Sequence, residues 1–276
     1  MSETTRTIAM FGATGHTGRE TLKNLLAKKQ FQTLRIRLYV RSPQKLLALF
    51  PDLKSRSNVE VVEGQVTDVE RVRSFLSGAD TIIATLGEND NRPDVNVLTG
   101  FSRTVVAALK QLRNEDEDWK APWVIQLSSS TWNEKVEAKQ PAVLCWLIKH
   151  AFYYPYADLV RAHNTFQRGE EDGALRLLLV QPGLLVEEEA SGHVISVDDI
   201  GMAVSYADLG AGFADVVMEE RYRDIKALGV TSKQALQPEG RFMRYGTTAL
   251  YRMTFGLLAT FIPGFWRVNN ALGVFS

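Results

Sequence analysis

The chain has 276 residues, and its 32 Lys and Arg balance 32 Asp and Glu, so no net charge recruits nucleic acid or an anionic surface. Length and apolar content suit one large α/β unit with an appended lobe, and a single cysteine excludes an internal disulfide. His16, His150, His163 and His193 lack the spacing of a ligand set, so no metal site is expected, and the polar opening Met1–Arg6, read as no signal peptide, points to a cytoplasmic location.

The apolar run Ile8–Phe11 reads as a first strand. Behind it, Gly12-Ala13-Thr14-Gly15-His16-Thr17-Gly18 fits a sharp strand-to-helix turn: the first glycine permits the turn, the second lets backbone approach a pyrophosphate, and the third lets helix and strand pack closely. The amides of the helix start, which Glu20–Leu26 continues with helical spacing, would face the phosphates. Strand two is Arg35–Val40, followed by a helix opening on Ser42-Pro43, an N-cap and a first-turn proline, and ended by Pro51. Strand three is Val59–Val62, and Thr67-Asp68-Val69-Glu70 reads as a capping box. Strand four, Thr81–Thr85, ends in Leu86-Gly87, and a long helix covers about 95–112. The acidic stretch Asn114–Asp118 reads as a solvated turn. Strand five is Trp123–Leu127, a helical stretch straddles Pro155, and strand six is Leu175–Val180, stopped by Gln181-Pro182-Gly183. His193–Val197 is a short strand, Asp198-Asp199 reads as the N-cap of a helix running toward Met218, and Ile225–Thr231 is a late strand. Cys145, in the apolar run Ala142–Ile148, is expected to be a buried structural thiol.

Strands alternating with helices predict a Rossmann-like, doubly wound parallel sheet with a small, mostly helical C-terminal lobe. Residues 1–185 would form the dinucleotide-binding part and 186–276 the substrate-side part of the same unit.

Taken in order, Gly12–Gly18, Val40-Arg41-Ser42-Pro43, Val62–Asp68, Ser128-Ser129-Ser130, Gln181-Pro182-Gly183 and Ile195–Gly201 resemble the atypical short-chain dehydrogenase/reductases of the NmrA-like, NAD(P)-binding kind, over roughly residues 7–231. The wording Leu38–Leu46 with Leu49-Phe50-Pro51, and Tyr156-Ala157-Asp158, looks most like the averufin-oxidase family of fungal aromatic polyketide pathways. The resemblance implies a nicotinamide-dependent redox step on an anthraquinone- or xanthone-type polyketide.

Charge argues for the cofactor type. NAD-preferring sites usually end strand two with an acid on the ribose, whereas here Arg41, with Ser42 and Lys45 just beyond, offers cations to a 2′-phosphate, so NADP(H) is expected ahead of NAD(H). Gln65 stands where the family often has an Asp toward adenine, and its amide oxygen can still accept. Leu86, Gly87, Ser128, Ser129, Ser130, Thr131, Pro182, Gly183 and Leu184, at the carboxyl ends of strands four to six, are the remaining cofactor candidates beside the glycine-loop residues Gly12, Thr14, Gly15, His16, Thr17 and Gly18.

The chain has no Tyr-x-x-x-Lys: Tyr153, Tyr154 and Tyr156 are followed four on by Ala157, Asp158 and Val160. The catalytic candidates are therefore Ser129 and Ser130, as donors to a carbonyl oxygen, and Tyr156, for which packing is the competing reading. His163 is expected to be solvated or capped, and the His16 ring incidental to a backbone contact.

The apolar stretch Thr247–Trp266, interrupted by Arg252 and Pro263, is expected to pack on the domain, lid an apolar pocket or meet a second subunit as a homodimer, ahead of membrane contact through Phe261, Phe265 and Trp266. With Ala142–Tyr154 it suggests a hydrophobic aromatic small-molecule substrate. The rival functions are a non-catalytic NADP(H)-binding redox sensor and an isomerase or dehydratase using bound cofactor.

Overall fold

A computed structural model describes residues 6–88, 91–237 and 241–272. In chain order the elements are β1 (Arg6–Phe11), α1 (His16–Ala27), β2 (Leu34–Val40), α2 (Pro43–Leu49), β3 (Val59–Glu63), α3 (Val69–Leu76), β4 (Thr81–Ala84), α4 (Val97–Glu115), β5 (Trp123–Leu127), α5 (Glu134–Glu137), α6 (Ala142–Ala151), α7 (Tyr153–Glu171), β6 (Arg176–Val180), β7 (Leu184–Val186), β8 (His193–Ser196), β9 (Ala203–Ser205), α8 (Tyr206–Met218), β10 (Ala227–Ser232), α9 (Lys233–Leu236), α10 (Arg241–Phe261) and α11 (Phe265–Ala271).

The main sheet runs β3-β2-β1-β4-β5-β6-β10-β8, parallel throughout except for β8, which pairs antiparallel with β10. Alternate strand residues serve opposite faces, which is why the central strands read as continuous apolar runs. Ile8, Met10 and Ile125 pack toward Leu22 and Leu25 of α1 and Phe213 of α8. Ala9, Phe11 and Val124 pack toward Phe75 of α3, Phe101 of α4 and Phe166 of α7. This is the expected doubly wound sheet, and the chain reverses direction across it between β1 and β4. A crevice opens beyond the carboxyl ends of strands at such a reversal, and ligands of this fold bind there.

Three sequence expectations shift. The N-cap of α3 is Asp68, whose Oδ1 accepts from Arg71 N at 3.0 Å, so the cap lies one residue later than the Thr67 box. Asp198 and Asp199 do not start a helix: Ser196 Oγ accepts from both of their amides, turning the chain, and Lys135 holds Asp198 at 2.5 Å. That hydrogen bond and the lysine's charge hold the Asp198 carboxyl below its usual range. The helix instead begins at Tyr206, capped by Ser205 Oγ accepting from Asp208 N at 3.0 Å, after β9 has paired with β7. The long helix also starts and ends later than expected, taking in Asn114 and Glu115.

Two buried polar residues join helices that the sheet does not. Asn96 makes no side-chain cap for α4; Asp158 of α7 supplies it, accepting from Leu98 N at 2.8 Å and Thr99 N at 3.0 Å. Asn91, fully buried, donates to the carbonyls of Ala151 and Gly256, each at 2.9 Å, and accepts from Tyr154 N at 3.1 Å. Gly256 makes this possible, because a Cβ there would lie 2.0 Å from Ala151 O, so only glycine lets α10 cross α6 so closely.

Asp158→Ala is expected to destabilise the fold by about 3 kcal/mol, since it strands two helix-end amides in the interior, and Asp158→Asn, which keeps one acceptor, by less. Urea midpoints of the two variants and the wild type measure the difference.

Candidate functional site

The phosphate cradle forms as its glycine spacing requires. Gly12 has φ +88°, and a Cβ there would meet the Thr85 backbone at 2.8 Å. Thr85 is in turn fixed to β1, its N and Oγ1 donating to Phe11 O at 3.2 and 3.0 Å. A Cβ on Gly18 would come within 2.0 Å of Gly12 O, whereas one on Gly15 would meet nothing closer than 3.5 Å. The first and third glycines are thus structural necessities, and the second leaves an open backbone where a phosphate can approach. Thr17 is buried in the first turn of α1, and Thr14 and His16 flank Gly15 at the mouth.

Beside the ends of β2 and β3 lies a cleft of about 310 Å³ lined by Arg41, Glu63, Gly64, Gln65, Asp68 and Arg71. It brings together the two residues singled out for the adenosine end, Arg41 and Gln65, and adds Arg71. Tyr39 shapes its floor, its hydroxyl donating to Gln65 O at 3.0 Å, and leaves no room for a side chain at Gly64. Lys45 is exposed on α2, outside this lining, where its amide serves the Ser42 cap at 3.2 Å. Arg71 was not legible beforehand, because a position two residues into a misplaced helix start carries no mark of a cleft.

At the other end, three hydroxyls converge. Tyr156 Oη lies 3.2 Å from Ser129 Oγ and 3.1 Å from Thr131 Oγ1, which are themselves 3.2 Å apart. Trp132 and Phe152 wall the phenol, with ring centroids 5.9 and 5.6 Å away. Burial pushes the Tyr156 pKa up, against the smaller opposing pull of the Ser129 and Thr131 hydrogen bonds. Tyr156 is therefore packed and hydrogen-bonded at once. Ser130 N donates to Pro182 O at 2.9 Å and Ser128 N to Val180 O at 2.7 Å, closing the end of β5 onto β6. Gly183 and Leu184 are held against β9, Leu184 N donating to Met202 O at 2.9 Å. Leu86 and Tyr156 both pack against the cluster of Leu98, Leu159 and Ala162, and Gly87 faces open space.

The mouth carries groups that sequence reasoning missed. The His16 ring is not idle: it lies 4.9 Å from the Tyr206 ring and 3.4 Å from Glu187. Tyr206 escaped notice because its helix was started seven residues early. Burial raises the Tyr206 pKa, Arg252 opposes the rise and Glu187 adds to it, which puts Arg252 of α10 in the same electrostatic neighbourhood. Arg252 Nη1 donates to Leu185 O at 3.1 Å.

His163 departs from expectation. It is buried in α7 with no protein partner for Nε2 among the described residues, and burial pushes its pKa down from 6.5 to about 4. Cys145 is buried as expected, and the described residues include no group of three metal-ligating side chains.

A glycine turn at a topological switch point, an open helix N-terminus and a polar cleft beside β2 define a dinucleotide-binding Rossmann protein. The chain belongs to the NAD(P)H-binding family, whose model matches residues 12–220. An oxidoreductase, ordB, of Dothistroma septosporum is 30% identical over 96% of this chain and 95% of its own length. Averufin oxidase A of Aspergillus flavus is 29% identical over 82% of each chain. The resemblance to the averufin-oxidase group is thereby borne out. Among solved structures, a wide-type short-chain dehydrogenase/reductase from Veillonella parvula in complex with NADP superposes with a TM-score of 0.62 at 16% identity, covering 84% of this chain and 97% of that one.

The depressed His163 pKa sets a pH dependence. Between pH 6.5 and about 4 the unfolded chain binds a proton that the folded chain refuses, so stability falls as pH drops through this window, by about 3 kcal/mol when complete. In His163→Gln this part of the acid sensitivity is expected to vanish, read from denaturant midpoints at a series of pH values.

Proposed function

We propose that the protein is an NADP(H)-dependent oxidoreductase of the atypical short-chain dehydrogenase/reductase kind that reduces a carbonyl of a hydrophobic aromatic polyketide. The observation that carries this reading is the hydroxyl cluster of Ser129, Thr131 and Tyr156, with all three oxygens within 3.2 Å of one another, at the carboxyl edge of the sheet that also holds the phosphate cradle. The relatives named averufin oxidase support the substrate class.

The cradle residues fit a dinucleotide: Gly12–Gly18 would take the pyrophosphate, Arg41 and Arg71 a 2′-phosphate, Gln65 the adenine, and Leu86, Gly87, Ser128 and Pro182–Leu184 the nicotinamide side. When bound, the nicotinamide supplies the hydride that the carbonyl carbon accepts. Tyr156, kept protonated by burial, donates its proton to the carbonyl oxygen, completing the alcohol, and Ser129 orients the phenol and can return a proton to it from solvent. Ser130 steadies the loop through Pro182 and offers a further donor. A phenol that burial keeps protonated is placed to serve as the proton donor.

The direct test is to follow nicotinamide fluorescence while hydroxyanthraquinones and anthrones are added to the NADPH-loaded protein. Consumption of NADPH with formation of reduced product supports the reading; tight NADPH binding with no turnover across a broad aromatic panel sinks it in favour of a redox sensor, and product formed without net nicotinamide change points to isomerisation or dehydration.

Arg41→Asp is expected to weaken NADPH binding roughly 10–100-fold more than NADH binding, the worth of one or two charge-assisted hydrogen bonds to phosphate. Titration of both nucleotides measures it, and equal losses would remove the phosphate assignment. Tyr156→Phe is expected to lower kcat by about 100-fold or more with NADPH affinity unchanged, as steady-state kinetics and nucleotide titration would show.

A further inference from the structure

We propose that the face built by α6, the end of α10 and the turn into α11 docks on an anionic lipid surface. His150 stacks 4.1 Å from Trp146 and 5.9 Å from Phe261, Trp146 and Phe261 are 6.2 Å apart, and Tyr153 extends the row 6.4 Å from His150. This row stands in solvent: Trp146 and Tyr153 are each 49% exposed and Phe261 58%, flanked by Val143 at 71% and Ile262 at 46%. A contiguous aromatic and aliphatic patch of this kind marks an interaction surface.

Charge selects the partner. The chain as a whole is neutral, yet residues 253–276, from the last turns of α10 onward, contain Arg267 and no Asp or Glu, and residues 138–157 likewise contain no Asp or Glu. Lys149 is neutralised by Glu137 at 2.6 Å, but exposed Arg267, 5.4 Å over the Trp266 ring, has no carboxylate within ion-pair distance among the described residues. A second copy of the same face would set cation against cation, because a two-fold interface is self-complementary. Anionic headgroups would answer Arg267 while Trp and Tyr take the boundary position they favour in bilayers. The lobe would lie on the membrane, since no described helix is long and apolar enough to cross one, and the inward side of α10 is already committed to Asn91 and Ala151.

The test is sedimentation of the full chain with vesicles of phosphatidylcholine alone or mixed with phosphatidylserine, at low and high salt. Binding to the phosphatidylserine vesicles that weakens with salt, and that drops at least about tenfold in the Trp146→Glu/Phe261→Glu double variant and less in Arg267→Glu, supports the proposal. NADPH binding by fluorescence, unchanged in the same variants, shows that they are folded. Absence of wild-type sedimentation, equal salt-insensitive binding to neutral vesicles, or a dimer broken by the double variant in a protein that ignores vesicles would each overturn it.

Discussion

Everything at the site depends on how closely Gly12 is pressed against Thr85. The contact leaves no space for a Cβ at Gly12 or at Gly18, so the turn, the start of α1 and the end of β4 form one tight knot. Thr85 in turn is bonded to Phe11 at the end of β1. Because the sheet order reverses here, the tightness has a directional effect: backbone is drawn down between β1 and β4, and the N-terminus of α1 at Gly15 carries no side-chain cap. A helix N-terminus left open in this way keeps its unpaired N–H groups for an anion. A single methyl group at either outer glycine would disturb the helix, the strand and the phosphate approach together.

A second constraint transmits the fold to the hydroxyl cluster. Asp158 is buried and caps α4 from another helix, and Arg161 braces the same point, its Nε donating to Thr99 Oγ1 at 3.1 Å. Tyr156 sits two residues before Asp158, so the ionic seam that fixes α7 on α4 also fixes where the phenol meets Ser129 and Thr131. The Tyr-Ala-Asp wording noticed in the sequence thus has two separate physical contents, one a hydroxyl at the site and the other a helix cap. Asn91 works similarly for the lobe, joining the loop after β4 to α6, α7 and α10 through one amide group.

What was legible in the sequence was local. Apolar runs revealed the strands because the sheet is covered on both faces, and Ser42-Pro43 marked α2 because cap and proline act within one turn. Gly12, Gly15 and Gly18 could be given distinct roles because each role is steric. The misreadings turned on which nearby group claimed a cap and on distant partners. Asp198-Asp199 looked like a cap, but Ser196 and Lys135 claimed that segment and Ser205 capped the helix instead. His163 looked solvated because helical spacing does not show that α7 turns this position inward. Arg71 and Tyr206 entered the site through tertiary placement, with nothing in their neighbours to announce it.

The two ends of the crevice are built from opposite electrostatic materials, and this division bears on the proposed reaction. At the β2 end, Arg41 and Arg71 are exposed beside Glu63 and Asp68, so salt screens them, and any selection of a 2′-phosphate there would rest on direct bonds, with little contribution from long-range field. At the β5 end the groups are neutral hydroxyls in a half-buried setting, where a developing negative charge on a carbonyl oxygen would be felt more strongly than in open solvent. A lysine four residues after Tyr156 would lower the phenol's pKa and allow it to work as a base; Val160 stands there, and burial moves the pKa the other way. The phenol and the two hydroxyls at the β5 end are thus oriented neutral donors, whose hydrogen bonds to a carbonyl oxygen would strengthen only as charge appears there.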